Sequence, residues 1–131
     1  MAGFMLDTDT VSFALRGQGQ VASHLLDHRP SDICISSITL GELRYGAARR
    51  QSRKLQRLID TFVGAISVRP FDEAAGDRFG RVAATLAARG TPIGGFDTLI
   101  AAHALAAGLT LITNNTKHFD RVDSLRTDNW S

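Results

Sequence analysis

Short apolar runs alternate along the chain with longer stretches whose apolar residues recur at helical spacing. The first run, Phe4-Met5-Leu6, turns acidic at Asp7 and Asp9. The pattern predicts a strand over 4–7, helices over 9–15 and 19–28, and a second strand over 32–36 preceded by Pro30. Helices follow over 38–50 and 52–65, the latter carrying Leu55, Leu58, Ile59 and Phe62 on one face. A third strand spans 67–69 and stops at Pro70, and a long helix over 72–89 is closed by Gly90. After a loop over 91–96, a helix over 97–107 ends at Gly108, a fourth strand spans 109–113, and 125–127 reads as a short edge strand. Strands alternating with helices predict an α/β fold: a mostly parallel sheet of four or five strands sandwiched by helices.

Nothing divides the chain. At 131 residues, without repeats or a long linker, it reads as a single domain over 1–131 that buries a core without staples. Cys34, the one cysteine, lies in Ile33-Cys34-Ile35 and reads as a small core residue in a reducing compartment rather than a catalytic thiol. No leader with a basic start and an apolar body is visible. The most apolar stretch, 99–112, is too short and too interrupted to span a bilayer. The expected location is the cytoplasm, with no membrane partner.

The net charge is only +2, but it is unevenly spread. Arg44, Arg49, Arg50, Arg53, Lys54 and Arg57 place six cations within fourteen residues and no acid among them. Arginine suits bidentate contact with phosphate or carboxylate, so the cluster points to RNA or an acidic protein partner as well as to a plain solvated face.

In parallel sheets ligands bind beyond the carboxyl ends of the strands. Asp7 falls at one such end and Thr113-Asn114-Asn115 at another. Each acid has an ordinary reading: Asp7 or Asp9 caps a helix, Glu42 closes a capping box with Thr39, Asp97 is an N-cap. If the helix starts nearer Ser37, however, Glu42 shares a face with Ile38, Tyr45 and Gly46, where a carboxylate needs a partner. Three acids at the margins of apolar elements suit a hard divalent cation.

Asp7-Thr8-Asp9-Thr10 together with LTLITNN at 109–115 also resembles haloacid-dehalogenase-type phosphatases. Only sixteen residues follow Asn115, too few for the later lysine and acidic pair that family requires. Glu42 and Asp97 would be left without roles.

The better resemblance is to the PIN-domain ribonucleases, specifically the VapC-type toxins of bacterial toxin–antitoxin pairs. MLDTDTVSF, ISSITLGELRYGA, PIGGFDTLIAAHALAAG and LTLITNNTKHFDRVDSLRTDNW carry it, in the family's order and over nearly the whole chain. The resemblance implies an α/β/α sandwich, a homodimer and a VapB-type antitoxin whose tail blocks the active site. It assigns Mg²⁺ or Mn²⁺ ligation and catalysis to Asp7, Glu42 and Asp97. It implies cleavage of structured RNA, tRNA foremost, with the anticodon stem-loop of initiator tRNA as leading target. Asn115 stands where the family often has a fourth acid. Thr113, Asn115 and Asp9 are expected to support the ligands, and Arg44, Arg49, Arg50 and Arg53 to meet RNA or antitoxin. His103 reads as a polar handle on a helix surface rather than a general base, while Lys117 and His118 are open to substrate contact or plain exposure. The competing class is a PIN fold that binds RNA or a partner without cutting, which the three intact acids disfavour.

Overall fold

The computed structural model describes residues 3–131. Five strands form one sheet: β1 (Phe4–Leu6), β2 (Ile33–Ser36), β3 (Ser67–Arg69), β4 (Thr110–Ile112) and β5 (Thr127–Asp128). Their order is β3-β2-β1-β4-β5 and every pairing is parallel. The helices are α1 (Thr8–Leu15), α2 (Val21–Leu26), α3 (Ser37–Arg49), α4 (Arg53–Ala65), α5 (Glu73–Ala88), α6 (Gly95–Ala107) and α7 (Thr116–Phe119).

Side-chain alternation sorts them into two layers. Met5, Cys34 and Leu111 face one way and join Leu86 of α5 and Ile100, Ala101 and Ala104 of α6. Leu6, Ile33, Ile35 and Ile112 face the other and join Val11 of α1, Leu43 and Ala47 of α3, Ile59 of α4 and the penultimate Trp130. Both faces of the sheet are therefore covered, as near-continuous apolar strands require. Cys34 is buried, and burial pushes its thiol pKa up to about 11, which makes it a core residue and a poor nucleophile. Among the described residues no helix is long and apolar enough to cross a membrane.

The expected elements are present with shifted ends. The second helix is shorter than predicted (Val21–Leu26), because the chain before it turns through Gly17 and Gly19 at φ 65° and 63°. A single 3-10 turn, Pro30–Asp32, precedes β2. The edge strand is β5 at 127–128 rather than 125–127, and the four-residue α7 lies where no element was predicted. Helix α6 starts two residues early, so Asp97 sits inside its first turn and the N-cap is Gly94 at φ 97°.

The order of strands decides where a ligand can bind. The chain grows outward from β1 through β2 to β3, then returns to the other side of β1 with β4. The sheet thus reverses between β1 and β4, and a crevice opens beyond their carboxyl ends. Leu6 pairs with Ile112 there, so the next residues, Asp7 and Thr113, stand side by side at its floor.

Candidate active site

Asp7 is only 5% exposed. Its N–H donates to Ile112 O at 2.9 Å, which ties the crevice floor together. Its Oδ1 accepts from Thr10 N at 2.8 Å, making it the N-cap of α1. The neighbouring Thr113 side chain favours the charged form of its carboxylate. Burial nonetheless dominates and raises the Asp7 pKa, with Thr113 and Thr10 working against it.

Glu42 projects from α3, whose N-cap is Ser36: the Ser36 hydroxyl accepts from Ile38 N at 3.1 Å. The helix therefore begins two residues before Thr39, and the capping-box reading of Glu42 fails. Instead the Thr8 hydroxyl donates to Glu42 Oε1 at 2.6 Å. Burial raises the Glu42 pKa most; the fields of Asp97, Asp9 and Asp7 raise it further, while the Thr8 bond lowers it. That shared field is the plainest sign that the three predicted acids, from β1, α3 and α6, address one region.

Asp97 Oδ2 lies 3.0 Å from His118 Nε2, and the same nitrogen is 2.8 Å from Ile93 O. A carbonyl can only accept, so Nε2 carries a proton and donates to both oxygens. Burial raises the Asp97 pKa, and His118 opposes it.

The supporting residues divide. Thr113 is fully buried against Asp7 and accepts from Asn115 N at 3.0 Å. Asn115 itself is exposed, and its side chain does not cap α7. Its neighbour Asn114 holds a buried Oδ1 with no hydrogen-bond partner among the described residues. Asp9 is exposed and reaches the other acids through its field.

One reading is corrected. His103 is not a surface handle: it is 3% exposed, its Nδ1 is 2.8 Å from Ser36 Oγ, and burial lowers its pKa. Helix α6 is buried over most of its circumference, so a residue six positions beyond Asp97 meets the back of β2 rather than water. Arg44 donates to Gln56 Oε1 and Asp60 Oδ1, both at 2.7 Å, and joins α3 to α4 from a half-exposed position. Arg49, Arg50 and Arg53 remain exposed. Arg50 lines a cleft of about 170 Å³ that also holds Arg16, Thr8 and Glu42. Thr8 was not anticipated; its only signal was a hydroxyl between two acids.

Among the described residues, no group of three Asp, Glu, His or Cys side chains already converges closely enough to hold a metal ion. Carboxylate oxygens from three elements, partly desolvated and mutually repelling, are nonetheless a donor set suited to a hard divalent cation.

The PIN domain family model matches residues 4–125. The chain is 42% identical to the tRNA(fMet)-specific endonuclease VapC of Shigella flexneri over the full length of both. It is 36% identical to the same-named enzyme of Salmonella typhimurium over 99% of each. Among solved structures, it resembles DNA-bound VapBC from Salmonella typhimurium with a TM-score of 0.89 and 36% identity, covering all of both chains. VapBC2 from Rickettsia felis, bound to a promoter DNA fragment, also gives 0.89, at 33% identity over 98% of each. The chain belongs to the PIN-domain family, among the VapC ribonucleases.

Proposed function

We propose that this protein is the Mg²⁺- or Mn²⁺-dependent endoribonuclease toxin of a toxin–antitoxin pair. It cuts tRNA in the cytoplasm, initiator tRNA at its anticodon stem-loop foremost, and so stops translation. A VapB-type antitoxin restrains it, and it works as a homodimer in one domain spanning 1–131. The observation that carries this reading is that Glu42 feels the fields of Asp7 and Asp97, with Asp7 held by the Thr10 N–H, Glu42 by the Thr8 hydroxyl and Asp97 by His118. The names of the relatives supply the substrate class.

Asp7, Glu42 and Asp97 would hold the metal. When bound, the cation supplies a water of lowered pKa and offsets charge on the phosphate and on the leaving 3′ oxygen. The chain's own part is positioning. Thr113 and the Thr10 N–H fix Asp7, Thr8 fixes Glu42, and His118 fixes Asp97, so the ligands lose little freedom on binding. The apolar walls of the crevice keep their charges poorly solvated and hungry for a cation. Arg50 and Arg16, which line the same cleft as Glu42, would draw in the RNA backbone. Cleavage leaves 5′-phosphate and 3′-hydroxyl ends.

The test is incubation of the purified protein with a tRNA pool in Mg²⁺ or Mn²⁺, followed by mapping of new 5′ ends. New 5′-phosphates within the anticodon stem-loop of initiator tRNA, abolished by EDTA, are expected. Intact tRNA, or cleavage indifferent to EDTA, would refute it.

A further inference from the structure

Beside the carboxylates lies a second depression, of about 570 Å³, which shares Thr8 and Glu42 with the Arg-lined cleft and, apart from these and Ser37, is lined by apolar and aromatic residues. Ile38, Gly41 and Tyr45 of α3 and Phe96 of α6 line it. Ile38, Glu42 and Tyr45 follow at four- and three-residue steps and so share one helix face. Phe96 immediately precedes Asp97. Tyr45 is 66% exposed and Phe96 59%. Among the described residues neither ring packs against another aromatic ring.

We propose that Tyr45 and Phe96 form a stacking platform for an unpaired nucleobase next to the phosphodiester addressed by Asp7, Glu42 and Asp97. The inference rests on the ribonuclease reading and deepens it: the substrate presents a splayed, single-stranded nucleotide at the cut. Three observations favour a base over other occupants. The depression opens onto Glu42, so whatever fills it adjoins the reacting phosphate. No cation lines this depression, whose one charged residue is Glu42, while Arg16 and Arg50 line the neighbouring cleft, so an uncharged group belongs here and the charged backbone there. A second copy of the chain seated on this face would cover Glu42 and shut the site. Flat rings at the edge of a carboxylate cluster match the way single-stranded RNA is held, with bases on aromatic faces and phosphates on cations.

The experiment compares two fluorescently labelled probes, a single-stranded eight-nucleotide RNA and its abasic counterpart with the same phosphates. Binding is followed by anisotropy in EDTA at low salt, where nothing is cut. Wild type is expected to prefer the intact probe. Tyr45→Ala with Phe96→Ala should weaken the intact probe at least tenfold, leave the abasic probe within twofold, and keep the salt slope, because stacking releases no counterions. Tyr45→Trp with Phe96→Tyr should restore the preference. Equal losses on both probes, no loss on either, or a loss that follows a change of oligomeric state in sedimentation would overturn the platform; the last would assign the face to a second copy. Retained preference without any tRNA cleavage in Mg²⁺ or Mn²⁺ would instead refute the ribonuclease reading alone.

Discussion

Asp7 serves two purposes through one carboxylate, and its variants separate them. As an N-cap it satisfies the Thr10 N–H, a job an amide does equally well. As a buried charge it is desolvated, and an amide removes that cost. Asp7→Asn is therefore expected to lose RNA cleavage by at least a hundredfold while melting no lower than wild type in EDTA. Asp7→Ala loses the cap as well and should be less stable by about 1 kcal/mol. Calorimetry of the two variants decides it: an Asp7→Asn protein that melts well below wild type would make the carboxylate structural. Ser36 offers a parallel case. Its hydroxyl accepts from Ile38 N, leaving its proton for Nδ1 of the buried, neutral His103. Ser36→Ala strands both, so a loss of about 1–3 kcal/mol is expected in denaturant titration.

At the scale of elements, the basic stretch splits between two tasks. Arg44 clasps α3 to α4 from a half-exposed position, so Arg44→Ala should cost no more than about 1 kcal/mol and leave RNA affinity alone. Reversing Arg49, Arg50 and Arg53 to Glu should weaken RNA binding and lower the slope of log affinity against log salt by roughly 2 to 3. An unchanged slope would move the RNA surface elsewhere. The sequence alone could not divide the cluster, since Asp60 and Gln56 meet Arg44 only once two helices pack. Periodicity marked helices α1 to α6 and short apolar runs marked β1 to β4, while the edge strand expected at 125–127 lies at 127–128. The four residues of α7 are too few to show a helical period, and α7 is what returns His118 to Asp97 from twenty-one positions away. Asp7, Glu42 and Asp97 stand out as candidates because acids beside apolar runs do, and the family resemblance singles them out together. Thr8 does not stand out, because a threonine there is equally at home as a helix-starting residue.

The whole molecule holds its acidic crevice at a cost that depends on pH. Asp7, Glu42 and Asp97 all have pKa values raised by folding, from ordinary values of 3.8, 4.5 and 3.8. The folded state then binds their protons more tightly than the unfolded state does. Their contribution to stability is fully present below those ordinary values and is lost as pH rises through the folded ones. His103 acts oppositely: its lowered pKa means that stability falls as pH drops below 6.5. The two trends overlap in wild type, but His103 is common to wild type and a Glu42→Gln variant, so their difference isolates the carboxylate. In EDTA the variant's advantage over wild type should therefore grow as pH rises from about 4 to 7. Saturating Mn²⁺ should reverse it. A cation bound only by the folded state stabilises wild type by about 2.7 kcal/mol at a hundredfold excess over Kd, and the variant, short of one charged ligand, gains less. Thermal melts of both proteins across pH, with EDTA and with Mn²⁺, test the sign of each difference. A difference that stays flat with pH would remove Glu42 from the shared field, and one that ignores Mn²⁺ would remove it from the metal.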